Sequence, residues 1–158
     1  MQSFSQAVLL HNIRSAYNVG SIFRTADAAG VTRLYLSGYT PLPIDRFGRL
    51  QKEIAKTALG AERSVSWEHV KDPIRCITML RAKGWHIAGV EQDARAEDFH
   101  TFRARQKTLY VFGNEVRGLS RALSDACDSL IEIPMRGTKE SLNVSVAAGI
   151  VLFNTPES

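Results

Sequence analysis

Five short runs rich in apolar and β-branched residues, at positions 7–10, 33–36, 86–90, 108–112 and 130–133, are spaced so that helical segments fit between them; a weaker sixth lies at 64–67. Strands this short and this continuously apolar are buried on both faces. When helices join them they form a mostly parallel sheet, because parallel neighbours need crossovers that lay helices over the faces. The helical segments carry their own end signals. Residues 21–29 close at Gly30, Asp72 can cap a helix with Pro73 in its first turn and Gly84 past its end, and Ser120 can cap another toward Cys127. The expected fold is α/β, a mostly parallel sheet with helices on both faces, and 158 residues suits one domain over 1–158.

Several function classes drop out early. There is no GxGxxG after a strand and no GxxxxGK[ST], which disfavours nicotinamide and nucleoside-triphosphate chemistry. The first run ends in His11 and Asn12 rather than in the acids of a phospho-acceptor. Cys76 and Cys127 stand far apart with no nearby Cys/His cluster, so neither a disulfide framework nor a zinc or other metal site is expected, and a reducing cytoplasm suits the chain. No segment has the apolar length of a membrane span, and the N-terminal stretch lacks the pattern of a signal peptide. Twenty Lys and Arg face sixteen Asp and Glu, a formal net charge of +4. Arg103, Arg105, Lys107, Arg117 and Arg121 fall close together with Glu115 as the one acid among them. That balance is compatible with a polyanion partner and equally with a solvated face.

Polar residues cluster at the carboxyl ends of the expected strands, where open parallel sheets bind ligands. After the first strand, HNIRSAYNVGSIFRTADAAG offers Asn18 or Ser21 as a helix cap and Arg24 as a guanidinium that can fork onto a phosphate, or instead pair with Asp27. After the run at 108–112, FGNEVRGLS places Gly113 for close backbone approach and Glu115 beside it. After 130–133, Pro134 ends the strand, and loop 136–140 delivers Ser141 and Asn143 to the start of a small, apolar helix suited to burial against another helix or subunit. The Pro-containing stretch 38–49 is a long loop of the kind that often carries function.

Taken together, NVGSIFRTADAAG, LYVFGNEVRGLS and IEIPMRGTKESLNVSVAAG, with IAKTALGAE between the first two, resemble the motifs of the SpoU (TrmH-like) family of the SPOUT class. The likeness spans nearly the whole chain. It implies a single SPOUT domain, a deep C-terminal trefoil knot, and a homodimer; in departure from many relatives, no separate RNA-binding domain is expected. The implied activity is transfer of a methyl group from S-adenosylmethionine to a ribose 2′-hydroxyl of tRNA or rRNA. By position, the resemblance assigns the reaction site to Asn18, Arg24, Glu115, Ser141 and Asn143, and cofactor binding to Val90, Glu91, Gly113, Ile133, Met135, Ser141 and Leu142. RNA capture is expected from the basic surface of Arg46, Arg49, Lys52, Arg103, Arg105 and Lys107. Two other readings compete: a catalytically silent RNA-binding module of the same fold, and a small-molecule-binding α/β protein.

Overall fold

The computed structural model describes residues 3–155. Seven strands, β1 (Ser5–His11), β2 (Arg33–Ser37), β3 (Trp67–Val70), β4 (His86–Val90), β5 (Glu97–Asp98), β6 (Lys107–Phe112) and β7 (Ser129–Glu132), form one sheet in the order β3-β2-β1-β6-β4-β7-β5. All six pairings are parallel. The helices are α1 (Ala16–Ala28), α2 (Lys52–Ala58), α3 (Ala61–Ser64), α4 (Pro73–Ala82), α5 (Arg121–Ala126) and α6 (Val144–Leu152).

The period-2 alternation of the central strands divides the core into two layers. Val8 and Leu10 of β1, with Tyr110 and Phe112 of β6, face a cluster built with α1, α2 and α6; Ala7, Leu9, Leu109 and Val111 face a second built with α4 and α5. Every one of these residues is buried, as continuous apolar runs in a doubly covered sheet require.

Two local expectations shift. α1 starts five residues before Ser21, because the Ser15 hydroxyl accepts the Asn18 N–H at 3.1 Å and caps the helix there; neither Asn18 nor Ser21 is the cap. The weak strand at 64–67 moves to Trp67–Val70. Gly60, at φ 97°, opens α3 over Ala61–Ser64, and Glu62 accepts the Gly60 N–H at 3.0 Å, so the chain is still turning where a strand was expected. The other end signals hold: the Asp72 carboxylate accepts from Ile74 and Arg75, and Ser120 from Leu123.

Gly20 lies inside α1, where glycine ordinarily weakens a helix. Its role is packing. A Cβ there would sit 2.0 Å from Thr57 Oγ1 and 2.3 Å from the Ile54 carbonyl oxygen of α2, and the Thr57 hydroxyl donates to the Tyr17 carbonyl at 2.9 Å to hold the two helices together. In an isolated helix Gly20→Ala would stabilise by about 1 kcal/mol. Here overpacking reverses the sign, and we expect a loss of about 1–3 kcal/mol in urea unfolding; a more stable variant would contradict the close helix contact.

Candidate active site

The carboxyl ends of β4, β6 and β7 open onto a cavity of about 220 Å³. Val90, Glu91, Gly113, Ile133, Met135, Ser141 and Leu142, drawn from three separate stretches of sequence, all line it, together with Gln92, Asn114, Glu115, Arg117, Glu132, Val144 and Ala147 among others. The apolar part is a slot between Val90, Ile133, Leu142, Val144 and Ala147. Three acidic residues, Glu91, Glu115 and Glu132, are among its lining against one arginine, Arg117, so the lining is acidic in a chain of net charge +4. A larger cavity of about 700 Å³ beside β3 and α4 contains none of the expected site residues.

The loop after β6 is closed by backbone contacts that only glycine at 113 permits. A Cβ on Gly113 would fall 2.4 Å from the Gly118 carbonyl oxygen and 2.6 Å from the Leu119 nitrogen. Within the loop, Asn114 and Gly118 exchange backbone hydrogen bonds at 3.1 and 2.8 Å, and Asn114 Oδ1 accepts the N–H groups of Val116 and Arg117. The Asn114 amide donates onward to the Asn12 carbonyl at 3.0 Å and to the Tyr39 hydroxyl at 2.9 Å, joining the ends of β1, β2 and β6. Glu91 closes the other side by accepting the N–H groups of Leu119 and Gln92.

A single hydrogen-bonded chain joins the three motifs. Glu115 Oε1 accepts the Arg14 N–H at 2.9 Å, and Oε2 accepts the Ser15 N–H at 3.0 Å and the Asn18 side-chain amide at 3.3 Å. Asn18 Oδ1 accepts from the Asn143 amide at 3.1 Å, and Asn143 Oδ1 caps α6 by accepting the Ser145 N–H at 2.8 Å. α1 has no acid in its own first turn, so Glu115 supplies from another motif the negative charge that a helix N-terminus favours. Burial pushes the Glu115 carboxyl up, but the backbone N–H groups of Arg14, Ser15 and Glu115 itself, with the Asn18 amide, outweigh it and hold the group below its ordinary value. Glu115 is an ionised anchor at neutral pH and a poor proton acceptor.

Arg24 stands apart. It lies six residues beyond Asn18 on α1, about 9 Å along the axis, is exposed, and is not among the cavity-lining residues. The alternative ion pair with Asp27 does not form among the described residues; Asp27 instead accepts the Ser64 hydroxyl at 3.0 Å. Ser141 lines the cavity in the loop that ends at Asn143. The two expected RNA-binding groups are separated: Arg46, Arg49 and Lys52 follow β2 on the cavity's side of the sheet, whereas Arg103, Arg105 and Lys107 precede or begin β6 at the opposite, amino edge. Asn12, Tyr39 and Asn114 belong to the site's frame and were not foreseen. The signal for Asn114 was its place in GNE, although nothing in that triplet reveals its long-range partners.

Residues 5–153 match the SpoU rRNA Methylase family. The chain belongs to that family. A Staphylococcus haemolyticus protein provisionally named a TrmH family tRNA/rRNA methyltransferase is 36% identical over 152 residues, which are 96% of this chain and 58% of the relative. Among solved structures, an AdoMet-bound rRNA methyltransferase from Sinorhizobium meliloti superposes with a TM-score of 0.86 at 29% identity, covering 97% of this chain and 56% of that one. The A. aeolicus TrmH/SpoU tRNA modifying enzyme superposes with a TM-score of 0.82 at 29% identity, covering 94% and 72%. The chain therefore spans a little over half the length of the SpoU-family relative with which it shares most identity among these, and its α/β sheet is that of the SPOUT methyltransferases.

Replacing Glu115 with Gln removes the charge and offers only one acceptor oxygen where two are used. We expect Glu115→Gln to lose about 1–2 kcal/mol at pH 7, a hydrogen-bonded charge being discounted for partial exposure. Because the folded-state value is depressed, the wild-type advantage is present above the unfolded carboxyl value and disappears as pH falls through the folded value. Unfolding curves of the two proteins should converge in acid; a gap that persists there would mean the anchor is not ionic.

Proposed function

We propose that this SpoU-family chain transfers the methyl group of S-adenosylmethionine to a ribose 2′-hydroxyl of tRNA or rRNA. The observation that carries the reading is the cavity's character: an apolar slot with three acidic residues and one arginine in its lining, at the carboxyl edge of a parallel sheet. Such a lining suits a ligand that is cationic at its sulfonium and ammonium and apolar at its purine, and it repels a bare phosphate. Val90, Ile133, Met135 and Leu142 would hold the adenine and ribose, with backbone groups around Gly113 and Ser141 supplying fixed hydrogen bonds. The negative charge of Glu91, Glu115 and Glu132 around the cavity would favour the positive end. The AdoMet named in the description of the Sinorhizobium neighbour points the same way.

When bound, the donor would supply an electrophilic methyl group, the ribose oxygen taking it as the S–CH₃ bond breaks to leave a neutral thioether and the hydroxyl proton passes to solvent water. The chain's own part is orientation and electrostatics. Asn18, held between Glu115 and Asn143, fixes the position of Glu115 in the cavity wall. A planar guanidinium forks onto phosphate oxygens, so Arg24 would bind the adjoining phosphate and stabilise charge developing on the attacking oxygen. Its distance from the cavity within one chain supports a homodimer in which Arg24 approaches the donor held by the partner subunit.

The C-terminal trefoil knot belongs to the same proposal. β7 lies between β4 and β5 in the sheet, although β4 and β5 are consecutive in the chain. The connection from β4 to β6 grips the C-terminal segment at two points, Gln92 Nε2 donating to the Glu140 carbonyl at 2.7 Å and Asn154 Nδ2 to the Phe99 carbonyl at 2.9 Å. These are contacts a threaded tail would make.

The test is transfer of labelled methyl groups to separate tRNA and rRNA pools lacking their own modifications. Label should enter one pool and stay with the ribose after the bases are removed. Arg24→Lys should keep donor affinity while losing at least about tenfold in transfer, because the fork is lost and the charge is not; near-normal turnover would sink the clamp. Mixing Arg24→Ala with a variant defective in donor binding should restore some activity, and no rescue would favour a site built within one chain. A protein that binds RNA but no donor would be the silent module.

A further inference from the structure

The loop after β2 carries a feature that donor binding does not use. Residues 43–51 fold back on themselves: the Gln51 N–H donates to the Pro43 carbonyl at 2.9 Å, and Ile44 bridges Leu50 in antiparallel fashion. Asp45 rigidifies the tip by accepting the N–H groups of Phe47 and Arg49 and the Arg49 Nε, each at 2.9 Å. At that tip Phe47 is 67% exposed, with the Arg46 and Arg49 guanidinium carbons 4.8 and 5.0 Å from its ring centroid. Exposing a phenyl ring to water is unfavourable, and here the fold preorganises it between two planar cations.

We propose that Phe47, flanked by Arg46 and Arg49, is a stacking platform for an unpaired nucleotide base of the RNA substrate, so that the substrate class is a single-stranded or looped RNA element rather than a continuous duplex. This deepens the methyltransferase reading and rests on it. A phenyl face and a guanidinium plane both stack on a nucleobase, whereas bases inside an A-form duplex offer no free face. Charge favours the same occupant. Asp45 is occupied by Arg49 and the loop backbone, and Glu53 by Lys56 at 3.1 Å, leaving Arg46 beside the ring, and Lys52 at the start of α2, without acidic partners among the described residues. The platform is also tied to the site: Tyr39, at the root of the loop and itself exposed, accepts from the amide of Asn114, which lines the cavity.

The experiment measures binding of the full chain to a labelled single-stranded oligoribonucleotide of about ten nucleotides and to a duplex of about sixteen base pairs, a dsRNA-sized site. The proteins are wild type, Phe47→Ala, Phe47→Trp and Arg46→Gln. Phe47→Ala should lose about tenfold for the single strand, with little change for the duplex and an unaltered salt slope; Phe47→Trp should retain affinity. Arg46→Gln should lower the salt slope by about one, as loss of a phosphate contact does. S-adenosylmethionine affinity should be equal in all four, which separates this proposal from the donor site: failure of donor binding in wild type counts against the methyltransferase reading, whereas the Phe47 comparison judges the platform. Unchanged single-strand affinity in Phe47→Ala, an equal loss on duplex, or no single-strand binding by wild type would overturn the proposal. So would a shift in sedimentation from dimer to monomer on Phe47→Ala, which would make the loop an interface between copies of the chain.

Discussion

The Glu115 carboxylate is the tie on which the site depends. It takes hydrogen bonds from the backbone at the start of α1 and from Asn18, and through Asn18 it reaches the residue that caps α6. Three stretches, the first bonded to the other two across 97 to 125 residues of chain, are thereby held together at the carboxyl edge of one sheet. A carboxylate suits the position better than a neutral acceptor, because two of its donors belong to the positive end of a helix. The same bonds that make it a good anchor remove it from proton transfer, which leaves orientation and fixed charge as the chemistry available to this edge.

Glycine governs how closely the parts approach. Gly113 lets the β6 loop fold back on Gly118 and Leu119, so that Glu115 and Asn114 project from a closed turn rather than a mobile strand end. Gly20 lets α2 lie against α1 and so sets the helix layer over β1 and β2, next to the root of the loop that carries Phe47. Neither position tolerates a methyl group without displacing backbone. The acidic cavity and the basic loop lie at the same edge of the sheet, an arrangement that would separate the proposed cationic donor from a polyanionic acceptor while keeping both in reach.

Much of this was legible in the sequence. The apolar runs located five of seven strands because a doubly covered sheet needs continuous apolar strands, and capping by Asp72, Ser120 and Asn143 follows from side chains that bond locally. The start of α1 was misplaced because Ser15, Asn18 and Ser21 all have capping chemistry, and the choice of Ser15 depends on Glu115 and Asn143 claiming Asn18 from outside the helix. β5 is two residues long and has no pattern of its own; it is a strand because β7 runs beside it. The seven residues assigned to the donor by resemblance do surround one cavity, yet spacing alone could not have brought them there. The separation of Arg103, Arg105 and Lys107 from Arg46, Arg49 and Lys52 was equally invisible, since charge in a sequence carries no information about which end of a sheet it will occupy.

The most direct test of the account is methyl-labelled NMR of the chain during titration with S-adenosylmethionine. Binding in the carboxyl-edge cavity predicts shift changes concentrated at Val90, Ile133, Met135, Leu142 and Val144. Changes centred instead on Val70, Met79 and Leu80, which line the larger cavity beside β3 and α4, or no changes at all, would contradict the assignment of this edge as the donor site.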